Sequence, residues 1–288
     1  MARLASTSRG IGRAEGDRID LLDTPFPDLD AALAAGGDLG ALAESPVLES
    51  VSLDDVTLHA PVRRPSKIWG VGYAYRDHRE ETGFTSTDAS PVIFMKAPSS
   101  VVGPGDDIVL PPVAPEMVDY EGELAVVIGR RATAVDTAHA LEHVAGYTIG
   151  NDVSARDVQR GAIEGRPADT STAKSFDTFT PLGPWIATLD GLDDPQDLAL
   201  RTWVNGDLRQ EDRTSQLVHP VAEIVSYLSH QTTLLPGDVI MTGTPGGIGG
   251  RQGLYLRAGD VVRIEIEGIG RLENTVADSA SKAAGHGH

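Results

Sequence analysis

A long apolar strand pattern that carries two glutamates constrains the fold of this chain more than any other stretch. Residues 118–129 read VDYEGELAVVIG. Side chains on a strand alternate faces, so Glu121 and Glu123 share one face, about 6–7 Å apart at Cα. Their face-mates Ala125 and Val127 are apolar, which is typical of burial. Two buried like charges shift a pKa or destabilise the site unless a cation neutralises them. The alternative is an exposed strand face with solvated glutamates.

The pattern from Lys67 onward is rich in strands, which predicts a mainly β fold with a few helices, an α+β class. Asn205-Gly206 separates two strand-like runs and predicts a hairpin, because both positions tolerate positive φ. Two helices are predicted, over 137–144, with Asp136 as the N-cap, and over 220–230, where apolar residues form one stripe.

The composition changes along the chain and predicts three segments. Pro61 and Pro65 mark a boundary, and the last residues are small and polar. We therefore expect a small N-terminal domain over 1–65, a catalytic domain over 66–276 and a disordered tail over 277–288.

Composition also excludes several functions. The chain has 24 basic and 42 acidic side chains and a formal net charge of −18, which repels nucleic acid and anionic membranes. It has no cysteine, so disulfides, thiolate metal sites and a cysteine nucleophile are excluded. No apolar run is long enough to span a bilayer, and the N-terminus lacks the apolar core of a secretory signal. We expect a cytoplasmic enzyme.

A third acid adds to the glutamate pair. Asp152 follows a strand-like run over 146–150, and functional side chains often emerge at strand ends. The alternative is a turn or a helix cap. Three carboxylates without cysteine suit a hard cation, with Mg²⁺ first and Mn²⁺ or Ca²⁺ as substitutes. Three protein ligands leave positions open for water and a chelating substrate.

Further polar residues are candidates for acid–base work and substrate binding. His78 and Glu81 are three residues apart, so on a helix the carboxylate can orient the imidazole and the pair can take a proton from water. Lys174 lies among apolar and small residues, where a lysine pairs with an acid or an anionic ligand. The alternatives are a solvated charged helix and a structural salt bridge.

Two more stretches can contact a ligand. Arg156 and Gln159 could bind a substrate carboxylate and carbonyl, although Arg156 could equally hold an acid of the protein. The glycine-rich turn over 242–250 lets Thr244 approach a ligand closely, or is only a tight turn. It lacks the lysine of a nucleotide phosphate loop.

Taken in order, these stretches resemble the fumarylacetoacetate hydrolase family. They are 119–129 (DYEGELAVVIG), 146–157 (GYTIGNDVSARD), 174–177 (KSFD), 236–245 (PGDVIMTGTP) and 266–270 (IEGIG). The resemblance implies a mixed β-sandwich roll and a homodimer. It also implies that Glu121, Glu123 and Asp152 are the metal ligands. The implied catalytic groups are His78, Glu81 and Lys174. The implied substrate contacts are Arg156, Gln159 and Thr244. The sequence departs from the family at Ala74, where family members often carry asparagine.

The resemblance implies an enzyme that acts on small oxo-acids through a metal-stabilised enolate. We expect hydrolysis of a C–C bond in a β-dicarbonyl oxo-acid, because the His78–Glu81 pair could activate water and Lys174 could polarise the carbonyl. The alternatives are an isomerase or decarboxylase of oxo-acids, and a non-catalytic ligand-binding relative. The charged segment over 76–88 predicts a lid that closes as a helix over the site when substrate binds.

Overall fold

Strands make up most of this chain, as its sequence predicts. The computed structural model describes residues 2–85, 90–189, 192 and 194–279. The strands in this part are β1 (Arg3–Thr7), β2 (Gly10–Glu15), β3 (Arg18–Leu22), β4 (Val47–Ser52), β5 (Ile68–Gly72), β6 (Val92–Lys96), β7 (Val101–Val102), β8 (Ile108–Leu110), β9 (Val118–Asp119), β10 (Gly122–Ile128), β11 (Val144–Asn151), β12 (Ser154–Ala155), β13 (Thr180–Thr188), β14 (Ala199–Val204), β15 (Asp207–Arg213), β16 (Val239–Met241), β17 (Val261–Ile266) and β18 (Gly270–Asp278).

Short helices connect these strands and complete an α+β fold. The α-helices are α1 (Leu29–Ala34), α2 (Leu39–Ala43), α3 (Arg76–Thr82), α4 (Arg156–Arg160), α5 (Thr170–Ala173), α6 (Val221–Gln231) and α7 (Gly249–Gln252), and 3₁₀ helices span Leu53–Asp55, Pro98–Ser100, Thr137–His143 and Thr214–Gln216. No helix in the described residues is both long and apolar enough to cross a membrane.

The larger of two main sheets has eleven strands in the order β4-β3-β2-β1-β13-β11-β10-β16-β5-β6, with β7 also paired to β13. It is mixed, because β5 runs parallel to β16 while β10 runs antiparallel to β11. Every residue of β10 is buried, which its apolar sequence requires. This strand therefore lies at the centre of the fold.

A five-stranded sheet, β15-β14-β17-β18-β8, packs on one face of the large sheet. Leu124 and Val126 of β10 share a buried apolar cluster with Ile264 and Leu272 of this second sheet. Alternate residues of β10 point the other way, and Ala125 belongs to a separate cluster that includes residues of α1 and α2. The result is a β-sandwich with helices around it.

The N-terminal strands extend the same large sheet. Strand β1 pairs antiparallel with β13, with Arg3 opposite Ala187 and Leu4 opposite Ile186. Helix α1 begins after Asp28, whose carboxylate accepts the Ala31 N–H at 2.8 Å and so caps the helix. Residues before the predicted boundary at Pro65 therefore share backbone hydrogen bonds with the catalytic part.

Most predicted elements are present in the structure. The hairpin between β14 and β15 is confirmed, with φ of 54° at Asn205 and 86° at Gly206. The helix predicted over 220–230 is α6. The element predicted over 137–144 is a 3₁₀ helix instead, and the side chain of Asp136 forms no capping hydrogen bond.

Two predicted boundaries were wrong. The strand predicted over 118–129 breaks at Tyr120 and Glu121, because Val118–Asp119 pairs with β12 while β10 pairs with β11. The predicted tail over 277–288 begins too early, because Ala277 and Asp278 pair with β8 as the end of β18. The part of that tail over 280–288 lies outside the described residues.

Candidate metal and active site

Three carboxylates converge where β10 and β11 meet. Glu123 lies on β10, Glu121 immediately before it, and Asp152 immediately after β11. The backbone fixes their arrangement, because the Asp152 N–H donates to the Glu121 carbonyl at 2.8 Å and the Glu121 N–H donates to the Asn151 side chain at 3.0 Å. One oxygen from each carboxylate lies within 4.8 Å of the others, and all three residues are buried. The break in the strand thus brings three acids to one point.

Three buried cationic side chains contact two of these acids. Lys174 Nζ bridges them, at 2.5 Å from Asp152 Oδ2 and 2.7 Å from Glu121 Oε2. Arg156 Nη2 lies 2.5 Å from Glu121 Oε1, and Lys96 Nζ lies 2.5 Å from Asp152 Oδ1. Within the described part of the chain, Glu123 forms no ion pair. It accepts only the Gly243 N–H, at 2.8 Å.

The two glutamates therefore differ in charge compensation. Burial would raise the pKa of Glu121, but Lys174 and Arg156 hold that pKa well below its usual range. Burial, followed by the charges of Asp152 and Glu121, raises the pKa of Glu123 well above its usual range. Glu123 thus favours its protonated form unless a further cation compensates the charge of its carboxylate.

This donor set fits a divalent cation. Carboxylate oxygens are the ligands that Mg²⁺ and Mn²⁺ prefer, and a cation among the three acids would give Glu123 the charge partner that it lacks. Lys174 would share its two carboxylate contacts with such an ion. The three residues predicted as metal ligands are therefore together in a geometry that can hold one.

A cavity of about 520 Å³ opens beside the triad. Glu121, Glu123, Lys174 and His78 line it, so two of the three predicted catalytic groups share one space with two of the predicted metal ligands. Apolar side chains form another part of the wall, among them Val92, Ile93, Phe94 and Ile248. The size suits a small organic molecule.

Helix α3 brings His78 to the wall of this cavity, with Glu81 behind it. His78 is buried, and its Nδ1 lies 3.5 Å from Glu81 Oε2. That distance is long for a hydrogen bond, but the carboxylate can still orient the imidazole electrostatically. No hydrogen-bond partner of His78 Nδ1 is present among the described residues.

The glycine-rich turn after β16 holds helix α3 in place. The Gly246 N–H donates to Asp77 at 2.9 Å, and the Gly247 N–H donates to Glu81 at 3.3 Å. The charged segment is therefore anchored through two acids of the helix. Residues 86–88 of the predicted lid lie outside the described residues, and its motion stays a prediction.

The predicted substrate contacts have different surroundings. Arg156 is buried and holds Asp119, Glu121 and Gln159, so its guanidinium is largely occupied by the protein. Gln159 and Thr244 both line the cavity, as Arg156 does. None of the three is remote from the site.

Two buried charged residues had no role in the interpretation of the sequence. Lys96 holds Asp152, and its only signal was a lysine at the end of an apolar run. Asp119 accepts from Arg156 Nε at 2.8 Å and from two backbone N–H groups of α7, those of Gly249 and Gly250. Asp119 belongs to the 119–129 stretch, but its partners come from distant parts of the chain.

The comparison with protein families agrees with this geometry. The family model described as "Fumarylacetoacetate (FAA) hydrolase C-terminal" matches residues 67–277. The chain belongs to this family. The mixed sheets with several helices match the fold of solved structures of this family.

Relatives within the fumarylacetoacetate hydrolase family have several names. A mitochondrial oxaloacetate tautomerase of Bos taurus is 45% identical over 224 residues, which is 77% of this chain and 70% of that protein. The crystal structure of a 2-hydroxyhepta-2,4-diene-1,7-dioate isomerase from Mycobacterium marinum has a TM-score of 0.78 at 39% identity, covering 97% of this chain and 99% of that one. A fumarylacetoacetate hydrolase from Exiguobacterium antarcticum has a TM-score of 0.80 at 38% identity, covering 96% and 99%. Two of these three relatives are named as a tautomerase or an isomerase, and one is named as a hydrolase.

Proposed function

We propose that this protein is a divalent-metal-dependent isomerase of small 2-oxo-acids that catalyses keto–enol exchange. The observation that carries the proposal is the carboxylate triad, two of whose members line one cavity together with His78 and Lys174. Relatives named oxaloacetate tautomerase and hydroxyheptadienedioate isomerase support this reaction class. The C–C hydrolysis expected from the sequence becomes the second candidate.

Glu121, Glu123 and Asp152 would hold the cation. A divalent ion there would supply Lewis-acid stabilisation for negative charge that develops on the oxygen of the substrate. Lys174 has three N–H bonds, and Glu121 and Asp152 take two of them. The third is left to donate to a substrate oxygen.

Keto–enol exchange moves one proton between carbon and oxygen, with no other change of atoms. His78 is the group in the cavity wall best suited to take the proton from the carbon next to the oxo group, because neutral imidazole is a base near neutral pH. Glu81 lies next to Nδ1 and stabilises the imidazolium that results. Lys174 donates toward the oxygen, which stabilises the charge that builds there, and the imidazolium of His78 gives up its proton to that oxygen to complete the enol.

The cavity also carries cationic groups that favour an anionic substrate. Arg160 and Arg251 line it, and neither forms an ion pair with an acid within the described part of this strongly acidic chain. The acids among the described lining residues are Glu121 and Glu123, both assigned to the cation. An oxo-acid with a carboxylate near these arginines would supply the charge that they lack.

Hydrolysis of a C–C bond is favoured by one specific observation, the His78–Glu81 pair itself. Such a pair can deprotonate a water molecule that then attacks a carbonyl carbon. The two reactions share the cation site and the proton acceptor, and they differ in whether water is consumed. Decarboxylation has no observation of its own in its favour, and the buried triad argues against a relative that only binds ligands.

The test is a substrate panel assayed with and without metal. Mg²⁺-loaded protein should accelerate the keto–enol exchange of oxaloacetate, followed by enol absorbance, and chelated protein should not. Acetylpyruvate, assayed in parallel for cleavage to acetate and pyruvate, measures the second candidate. Cleavage without faster tautomer exchange would make hydrolysis the function. The absence of both reactions in metal-loaded protein would overturn the proposed reaction class.

A further inference from the structure

The side-chain amide of Gln210 connects the second sheet to the site. Its Oε1 accepts the Gly122 N–H at 3.0 Å, and its Nε2 donates to the Pro245 carbonyl at 3.0 Å. A backbone N–H can only donate and a backbone carbonyl can only accept, so these two contacts fix which end of the amide is nitrogen. Gln210 is almost fully buried, which leaves it no water to exchange with.

The orientation of this amide determines the polarity of the Thr244 hydroxyl. Gln210 Nε2 lies 2.8 Å from Thr244 Oγ1, and an amide nitrogen can only donate, so Thr244 accepts at this contact. Thr244 Oγ1 also lies 3.0 Å from the Gly122 carbonyl, which can only accept. The single hydroxyl proton is therefore used on Gly122. One lone pair remains.

We infer that Thr244 faces the cavity as a hydrogen-bond acceptor only, and that it favours ligands that present an O–H to it over ligands that present only acceptor oxygens. This inference rests on the proposed function for the class of ligand. A keto oxygen or a carboxylate oxygen offers no proton to such an acceptor, and two facing acceptors repel. The enol form of a 2-oxo-acid, or a 2-hydroxy-acid, offers an O–H. Thr244 is a specificity residue, and Gln210 positions it.

An acceptor-only Thr244 favours one tautomer of a bound oxo-acid. The contact with Thr244 exists only when the proton is on oxygen, so it stabilises the enol side of the exchange relative to the keto side. The polarity comes from Gln210 on β15, which is 34 residues from Thr244 in the sequence. Removal of the amide frees the hydroxyl to turn its proton toward the ligand.

The test compares two ligands that differ only at C2. Dissociation constants of pyruvate and of both lactate enantiomers are measured by calorimetry on Mg²⁺-loaded protein, for the wild type, Thr244→Val and Thr244→Ser. Loss of the acceptor in Thr244→Val should weaken at least one lactate enantiomer by about two- to tenfold, the range for one neutral hydrogen bond, and should not weaken pyruvate. Thr244→Ser keeps the hydroxyl and should keep the wild-type preference.

Gln210→Met provides an independent test of the positioning role. Its ratio of pyruvate to lactate dissociation constants should fall toward one while Thr244 is still present, an effect that a general loss of packing would not produce. Thermal unfolding of each variant shows that it is folded. Weaker pyruvate binding in Thr244→Val, or an unchanged ratio in both Thr244→Val and Gln210→Met, would overturn the inference. If wild-type protein binds neither ligand, the proposed oxo-acid function itself fails.

Discussion

Lys96 Nζ lies 2.5 Å from Asp152 Oδ1, and both side chains are completely buried. Burial lowers the pKa of Lys96, the nearby charge of Lys174 lowers it further, and Asp152 opposes both effects. The lysine also donates to the Phe179 carbonyl at 3.0 Å. Asp152 thus supports the charge of Lys96, and Lys96 holds this predicted metal ligand through the carboxylate oxygen that Lys174 does not contact.

Lys96→Met should destabilise the protein. The substitution keeps the length of the side chain but leaves Asp152 with one lysine instead of two. We expect a loss of about 3 kcal/mol in the free energy of unfolding, near the lower end for breaking a buried pair, because Lys174 still contacts Asp152. Urea denaturation measures it. The matched control is Arg201→Met, which breaks the exposed Arg201–Glu211 pair and should cost less than about 1 kcal/mol. Equal losses of unfolding free energy in Lys96→Met and Arg201→Met would contradict a stabilising role for the buried pair.

Binding of a divalent cation should stabilise the protein. At a metal concentration one hundred times the dissociation constant, the gain is about 2.7 kcal/mol, seen as a higher Tm that EDTA reverses. Glu123→Gln should abolish this gain without lowering the Tm of the chelated protein, because Glu123 has no ion pair to lose. The exposed Glu273→Gln is the control and should keep the gain. Full activity after exhaustive chelation would refute the metal assignment.

His78→Asn should lower catalysis and leave metal affinity intact. Loss of a general base lowers a rate by roughly 10²–10⁴. A matched control exists in His219, which is also buried and lies 3.2 Å from Glu223 but is absent from the cavity wall. His219→Asn should keep the wild-type rate. A His78→Asn variant that turns over both oxaloacetate and acetylpyruvate at the wild-type rate would remove His78 from the mechanism.

The arginines at the cavity should act on substrate binding alone. Arg160→Gln and Arg251→Gln should each raise KM for oxaloacetate about fivefold, which corresponds to roughly 1 kcal/mol for an exposed charge contact, with kcat unchanged. Arg257→Gln alters another exposed arginine, which is not among the described residues of the wall, and serves as control. High salt should raise the KM of the wild type toward that of the variants if the contact is electrostatic. A fall in kcat without a change in KM would contradict a binding role.

The site was largely predictable because its chemistry lies in short stretches of sequence. Glu121 and Glu123 are two residues apart, and Asp152 follows a recognisable strand, so residue type and spacing made a cation site one of the interpretations, beside an exposed strand face and a turn or helix cap. The α+β class followed from the strand patterns in the same way. The family resemblance then joined stretches that periodicity alone could not bring together.

What could not be predicted depends on contacts between distant residues. The strand break at Glu121 results from the pairing of Val118–Asp119 with β12, which no local propensity encodes. Lys96 and Asp152 are 56 residues apart, and Gln210 reaches Gly122 over 88 residues. Buried charge networks of this kind are determined by the tertiary fold, so a lysine at the end of an apolar run gave no sign of its partner.

The pairing of β1 with β13 limits which N-terminal segments can be joined to this catalytic part in evolution. The family model begins at residue 67, but the edge of β13 next to β1 is covered by the N-terminal strand. An exposed strand edge is a template for self-association. A chain shortened to the catalytic part would therefore be prone to aggregate. Any other N-terminal segment fused in its place must bring a strand that closes this edge.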